Sequence, residues 1–143
     1  MREQTLWWFK VAEKDLERAK RSLSEGDRGA ATFWAQQAAE KALKALLIAL
    51  KGYAPKTHSI RRLFEELGNN LGLSNEELEN AYELTQYYYL SRYPDIVEGL
   101  PDEAISEQTA RRLVTVAEKI VEAARRVLEE LSRQGTDLGA GTM

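Results

Sequence analysis

The sequence predicts an all-α fold: an up-and-down antiparallel bundle of four long helices and one short helix. Two observations carry the prediction. Apolar residues recur at spacings of three and four in four long segments, the pattern of a helix with one buried face. Short stretches rich in glycine, proline and asparagine separate those segments, as expected where antiparallel neighbours are joined. No stretch alternates polar and apolar residues with the period of two that a half-buried strand requires.

The first helix is expected over 3–24, where Phe9, Ala12, Leu16, Ala19 and Leu23 form one stripe. Gly26 stops it, and Asp27 is placed to cap the next. The second, over 28–50, is apolar almost all round. Ala31, Trp34, Ala35, Ala38, Ala42, Ala45, Leu46 and Ala49 line one face, and Leu43, Leu47 and Leu50 widen it. Such a helix belongs at the centre of the domain. Gly52 ends it and Pro55 prevents its continuation.

A short third helix follows over 59–67, with Ile60, Leu63, Phe64 and Leu67 inward and either Thr57 or Ser59 as its cap. Ser74 and Glu77 form a capping box at the start of the fourth, over 75–90. Its inner face is expected to carry Leu78, Ala81, Tyr82, Thr85, Tyr88 and Tyr89. Pro94 favours an extended Tyr93, which ends this helix near Arg92. The stretch 95–105 is expected to be a loop. The last helix runs from 106 to about 133, with an apolar set from Ala110 to Leu131. One helical domain therefore spans 1–134. The Gly/Thr-rich residues 135–143 are expected to form a disordered tail.

With 43% apolar and 30% charged residues, the composition is that of a globular chain and excludes general disorder. Cysteine is absent, which excludes a disulfide framework, a thiolate zinc site and a cysteine nucleophile. One histidine and scattered carboxylates make no coherent metal-ligand set. No apolar run has membrane-spanning length and the N-terminus lacks a signal-peptide core, so a cytoplasmic protein without a membrane partner is expected. There is no Walker pattern or dinucleotide fingerprint, and no cofactor is expected. A nucleotide would have to be held by side chains and helix ends.

The net charge of −3 conceals a strong asymmetry. Between residues 28 and 64, seven basic side chains stand against the single acid Glu40. Between 65 and 107, eleven acids stand against the single base Arg92. Continuing the helical register from Leu78 and Thr85 puts Arg92 on the inward, tyrosine-lined face, where its planar fork needs an anion. That anion is either Asp95 or a carboxylate of the last helix, locking the loop, or it is a ligand. His58 is either a hydrogen-bonded structural residue or a phosphate or base contact beside Lys56.

Gln37, Lys41, Lys44 and Lys51 fall on one line of the second helix. With Lys56, Arg61 and Arg62 they form either a basic surface for phosphates or a solvated face paired with the acidic segment. Tyr87, Tyr88, Tyr89 and Tyr93 are able to stack a base, although Tyr88 and Tyr89 are expected in the core. The candidates for nucleotide or phosphate contact are thus Lys41, Lys44, Lys56, His58, Arg92, Tyr93 and Asp95. Trp7 and Trp8 are adjacent and point about 100° apart on a helix, so they cannot share the buried stripe. With the apolar surplus of the second and fourth helices, this leads us to expect a homodimer.

Three segments stand in a telling order: Ala35-Gln36-Gln37-Ala38-Ala39-Glu40-Lys41-Ala42-Leu43-Lys44-Ala45-Leu46-Leu47, then Thr57-His58-Ser59, then Ser91-Arg92-Tyr93-Pro94-Asp95. In a chain of this length the trio resembles the HEPN family, the helical domain of higher eukaryotes and prokaryotes linked to nucleotides and RNA. The resemblance covers roughly residues 6–133. It implies a nucleotide- or RNA-associated binding module that is typically dimeric and, in prokaryotes, often partnered by a minimal nucleotidyltransferase.

The resemblance implies that catalytic members are metal-independent RNases that carry an arginine and a histidine with four to six residues between them. After Arg92 the corresponding places hold Val97, Glu98 and Gly99, and Tyr93 stands where that motif prefers a small polar residue. His58 has Lys51, not arginine, at comparable spacing upstream. A binding module is therefore the first expectation. The alternatives are an RNase toxin with a non-standard site, using Arg92 and His58 as catalytic candidates, and a purely structural dimer. Cleavage through the 2′-hydroxyl needs both a base and an acid. With one histidine per subunit, a dimer would have to assemble that pair across its axis.

Overall fold

α2 (Arg28–Lys51) is the axis around which α1 (Glu3–Ser24), α3 (Ile60–Leu67), α4 (Asn75–Leu90), α5 (Pro101–Ala104) and α6 (Glu107–Thr142) are arranged. It touches every other described helix. The computed structural model describes residues 2–93, 95 and 100–142, without the side chains of Pro101 and 135–142. Among the described residues there is no strand, and no helix is long and apolar enough to cross a membrane.

Its sequence explains the central place of α2. Ala31, Ala35, Ala38, Ala39, Ala42 and Ala45 are wholly buried, and these small side chains let α1 and α6 approach closely. Leu43, Leu46 and Leu47 fill the remaining circumference. Three side chains expected in this core are not fully in it: Trp34 and Ala49 are half-buried against it, and Leu50, in the last turn, is exposed. Asp27 caps the helix by accepting the Ala30 amide at 3.1 Å. At the other end Gly52 adopts φ +86°, a left-handed conformation that side chains resist.

Further caps follow the expected local chemistry. Ser59, rather than Thr57, caps α3 through the Arg62 amide at 3.2 Å, while the Thr57 hydroxyl accepts the Ser59 amide at 3.1 Å. Ser74 and Glu77 form the reciprocal capping box of α4. Glu77 also meets Lys119 of α6, and the Lys119 contact, with the Ser74 amide next, lowers its carboxyl pKa. Arg112 of α6 reaches Glu83 at 2.8 Å, a second tie between these helices.

Two boundaries and one register differ from expectation. α4 ends at Leu90 as expected, leaving Arg92 in a turn beyond the helix. α5 occupies part of the expected 95–105 loop; it starts on Pro101, whose missing amide costs nothing at a first helical position. The backbone of α6 continues to Thr142, while the tail expected over 135–143 falls largely outside the described side chains. The expected effect of Pro94 also lies outside the described residues. The buried line of α4 is Leu78, Ala81, Leu84 and Tyr87. Tyr82, Thr85 and Tyr88 are half-buried and Tyr89 is exposed, so the core tyrosine is Tyr87. Burial, with Glu83 beside it, raises the Tyr87 hydroxyl pKa.

Candidate functional site

Gln36, Glu40 and Lys44 stand one helical turn apart on α2, all three buried. Their line faces the loop that ends at Ser59. Glu40 is the hub. One of its oxygens accepts from Lys44 Nζ at 3.0 Å. The other accepts from Gln36 Nε2 at 2.9 Å and lies 3.0 Å from His58 Nδ1. Gln36 Nε2 also donates to the His58 carbonyl at 3.3 Å, and Gln37 Nε2 donates to Gln36 Oε1 at 2.7 Å. Lys44 Nζ lies 5.6 Å from the Trp8 ring centroid, which adds a cation–π contact to this buried ammonium.

The histidine is fixed from several directions. Just after it, the Ile60 amide donates to Thr85 Oγ1 of α4 at 3.0 Å. Its ring stacks on Tyr88, with centroids 3.9 Å apart and planes at 21°. Beside an ammonium, Glu40 is an acceptor, so Nδ1 turns a proton toward it and Nε2 is left as the other ring nitrogen. Nε2 has no partner among the described residues, and 41% of the side chain is exposed. The arrangement is a histidine oriented by a buried carboxylate, with its second ring nitrogen unpartnered among the described residues.

Arg92 reaches the same tyrosine. Its Nη1 donates to Tyr88 Oη at 2.9 Å, and its Cζ lies 5.0 Å from the ring centroid. It is exposed, not inward as the register suggested, because α4 has ended before it. Among the described residues no ion pair joins Arg92 to Asp95 or to a carboxylate of α6, so the internal lock is not formed. Most of its guanidinium is left for solvent or a ligand.

The other expected site residues divide. Lys44 belongs to the cluster but is committed to Glu40. Lys41, three residues before Lys44, turns instead to α1, where it pairs at 2.7 Å with Asp15; Arg18 holds the other Asp15 oxygen at 2.7 Å. The expected line of basic residues therefore does not act as one surface. Lys56, Tyr93 and Asp95 are all exposed. Among the described residues, Lys56 makes no side-chain contact. No group of three histidine, aspartate or glutamate side chains among the described residues is placed to hold a metal ion.

Glu40 and Gln36 are the members that the sequence reading missed as site residues. A signal was there: Gln36, Glu40 and Lys44 repeat at intervals of four on a helix that is otherwise apolar around its circumference. Polar groups inside such a helix need partners from another element.

Comparison with known proteins bears on the fold and the family. The chain is 29% identical over 133 residues to Putative toxin MJ1304 of Methanocaldococcus jannaschii, covering 86% of this chain and 87% of that protein. Among solved structures, TT1696 from Thermus thermophilus superposes with a TM-score of 0.76 at 32% identity, over 87% of this chain and 98% of that one. ST0689, described as an archaeal HEPN homologue, gives 0.67 at 36% identity over 87% and 97%. A HEPN domain protein from Thermotoga maritima gives 0.63 at 28% identity over 85% and 97%. The family model for the HEPN domain matches residues 5–127. With the bundle and the ordered trio of segments, this match settles the assignment: the chain belongs to the HEPN domain family.

Proposed function

We propose that the chain is a HEPN-type binding module that takes a nucleotide or an RNA strand on the surface formed by His58, Tyr88 and Arg92. The observation that carries this reading is that His58 and Arg92, far apart in sequence, both lie on the Tyr88 ring. A partly exposed aromatic surface with an unpartnered ring nitrogen and a cation beside it suits unstacked bases and phosphates. Lys56 adds charge close by in sequence. In this reading Lys44 and Glu40 hold the histidine and make no ligand contact.

The test is titration of labelled single-stranded RNA, and of ATP and GTP, at low and high salt. Binding is expected at low salt and should weaken as salt rises. Failure of the wild type to bind any of them at low salt overturns the reading.

Homodimerisation is part of the proposal. Leu6, Trp7 and Val11 leave an exposed apolar strip on α1, and Trp7 is 59% exposed. Light scattering that returns the 16.2 kDa monomer mass at high concentration would overturn it. The family resemblance adds a minimal nucleotidyltransferase as partner, for which co-purification with such a protein is the test.

A second reading, a metal-independent RNase, has one specific support. The folded chain brings an arginine and a histidine to one aromatic ring although the sequence lacks the spaced motif. The toxin name of the archaeal relative is in keeping with it. RNA cleavage by the purified protein, abolished by His58→Ala, would establish this second reading over simple binding.

A further inference from the structure

A cavity of about 420 Å³ opens between the N-terminal turn of α2 and the end of α4. Phe33, Trp34, Asp27, Asp102 and Arg92 are among its lining residues. The size falls within the range of small-molecule sites. Phe33 and Trp34 meet edge to face, with centroids 5.0 Å apart, so the wall offers ring faces in two directions. Phe33 also stacks against Tyr88 at 6.3 Å, which makes the cavity continuous with the His58–Arg92 surface.

The acidic groups decide what such a cavity would accept. The first amides of α2 are already occupied: Gly29 donates to Asp102 Oδ1 and Ala30 to Asp27 Oδ1. The helix end is therefore not a phosphate cradle. Each carboxylate uses one oxygen on the backbone, and its second oxygen has no partner among the described residues. Ser91, which also lines the cavity, spends its hydroxyl proton on the Tyr87 carbonyl, and Arg18, over the Trp34 ring, is paired with Asp15. The lining carboxylates therefore offer acceptors, with Arg92 as the cation at the α4 side.

We infer that this cavity recognises guanine, with Arg92 serving the attached phosphate. The inference rests on the nucleotide- or RNA-binding reading above. Guanine is the common base whose Watson–Crick edge presents two neighbouring donors, N1–H and the N2 amine. Adenine and cytosine pair one donor with an acceptor, and uracil flanks its single donor with acceptors. Acceptor-only carboxylates match guanine and leave an unfavourable acceptor–acceptor contact with the others.

The experiment uses the full chain carrying Trp7→Phe and Trp8→Phe, which leaves Trp34 as the remaining tryptophan of three. Its fluorescence is followed on adding guanosine, adenosine, cytidine or uridine monophosphate at low salt. Guanosine monophosphate is expected to perturb Trp34 and to bind at least about tenfold more tightly than the other three.

Asp102→Asn sharpens the result, because the carboxamide oxygen still accepts the Gly29 amide while its amine becomes a donor. That variant should lose about tenfold in guanosine monophosphate affinity and gain affinity for xanthosine monophosphate, which offers a carbonyl in place of the amine. Asp27→Asn provides the same test at the second carboxylate should Asp102→Asn fail to fold by circular dichroism. If RNA binds but the four nucleotides do not differ, or both asparagine variants leave the preference unchanged, the guanine inference falls and the His58–Arg92 reading stands. If neither RNA nor any nucleotide binds at low salt, both fall.

Discussion

α2 carries two lysine–carboxylate clusters, one shared with α1 and one with the loop before α3, and only one of them ends at the surface in a histidine. On the α1 side, Asp15 is wholly buried and held by Lys41 and Arg18. Both of its oxygens are used by cations, and the cluster is closed. On the α3 side, Glu40 is nearly as buried and held by Lys44 and Gln36, but its remaining contact is His58, whose second nitrogen faces outward. The same pair of residue types thus serves packing in one place and presents a side chain in the other. What distinguishes them is the third partner: an arginine that takes up the second carboxylate oxygen, or a histidine that passes on a hydrogen-bond direction.

The largest effect should come from Glu40→Ala. It strands Lys44, a side chain only 9% exposed, without its counter-charge, and a broken buried pair of this kind costs about 3–5 kcal/mol. Urea unfolding measures it; a loss below about 1 kcal/mol would mean that Lys44 escapes to water and that the cluster is not buried in effect.

Asp15→Ala should cost less, about 1–3 kcal/mol, because the side chains of Arg18 and Lys41 are 45% and 21% exposed and can rehydrate. RNA or nucleotide binding should survive this substitution. Binding lost along with stability would erase the proposed difference between the two sides of α2.

His58→Ala should reverse that balance. Stability should change by less than about 1 kcal/mol, since the ring is partly exposed, while RNA affinity should drop about tenfold. Arg92→Lys is the mildest change. It keeps the charge, and hence the salt dependence, but removes the planar fork and its contact with Tyr88, so a few-fold loss of affinity with unaltered stability is expected. Lower thermal stability with intact affinity would instead assign Arg92 to packing.

Much of the scaffold was legible from short-range chemistry. The Asp27 cap, the Ser74–Glu77 box and the Gly52 terminus each depend on residues within about one helical turn, so sequence alone specifies them. The central place of α2 follows from its composition for a similar reason: an all-round apolar helix has nowhere else to go. The family was legible too, through three ordered segments.

The register of α4 was harder to read. Tyr82, Thr85 and Tyr88 form as plausible a stripe as Leu84 and Tyr87, because tyrosine is amphipathic and fits either a core or a half-wet surface. α2 and α6 bury Leu84 and Tyr87, whereas Tyr82 meets Phe64 of α3 and Thr85 caps the amide of Ile60.

The sequence by itself determined the helices, most of their ends, the central position of α2 and membership of the family, because each rests on local backbone preference or on the area of apolar surface to be buried. Tertiary structure decided which acid each lysine meets, that Arg92 is exposed against Tyr88 rather than turned inward, and that Glu40 holds His58 beside Tyr88. Those outcomes depend on where separate helices place side chains relative to one another. An ion pair or hydrogen bond is sensitive to fractions of an ångström, and helical periodicity alone does not carry that information.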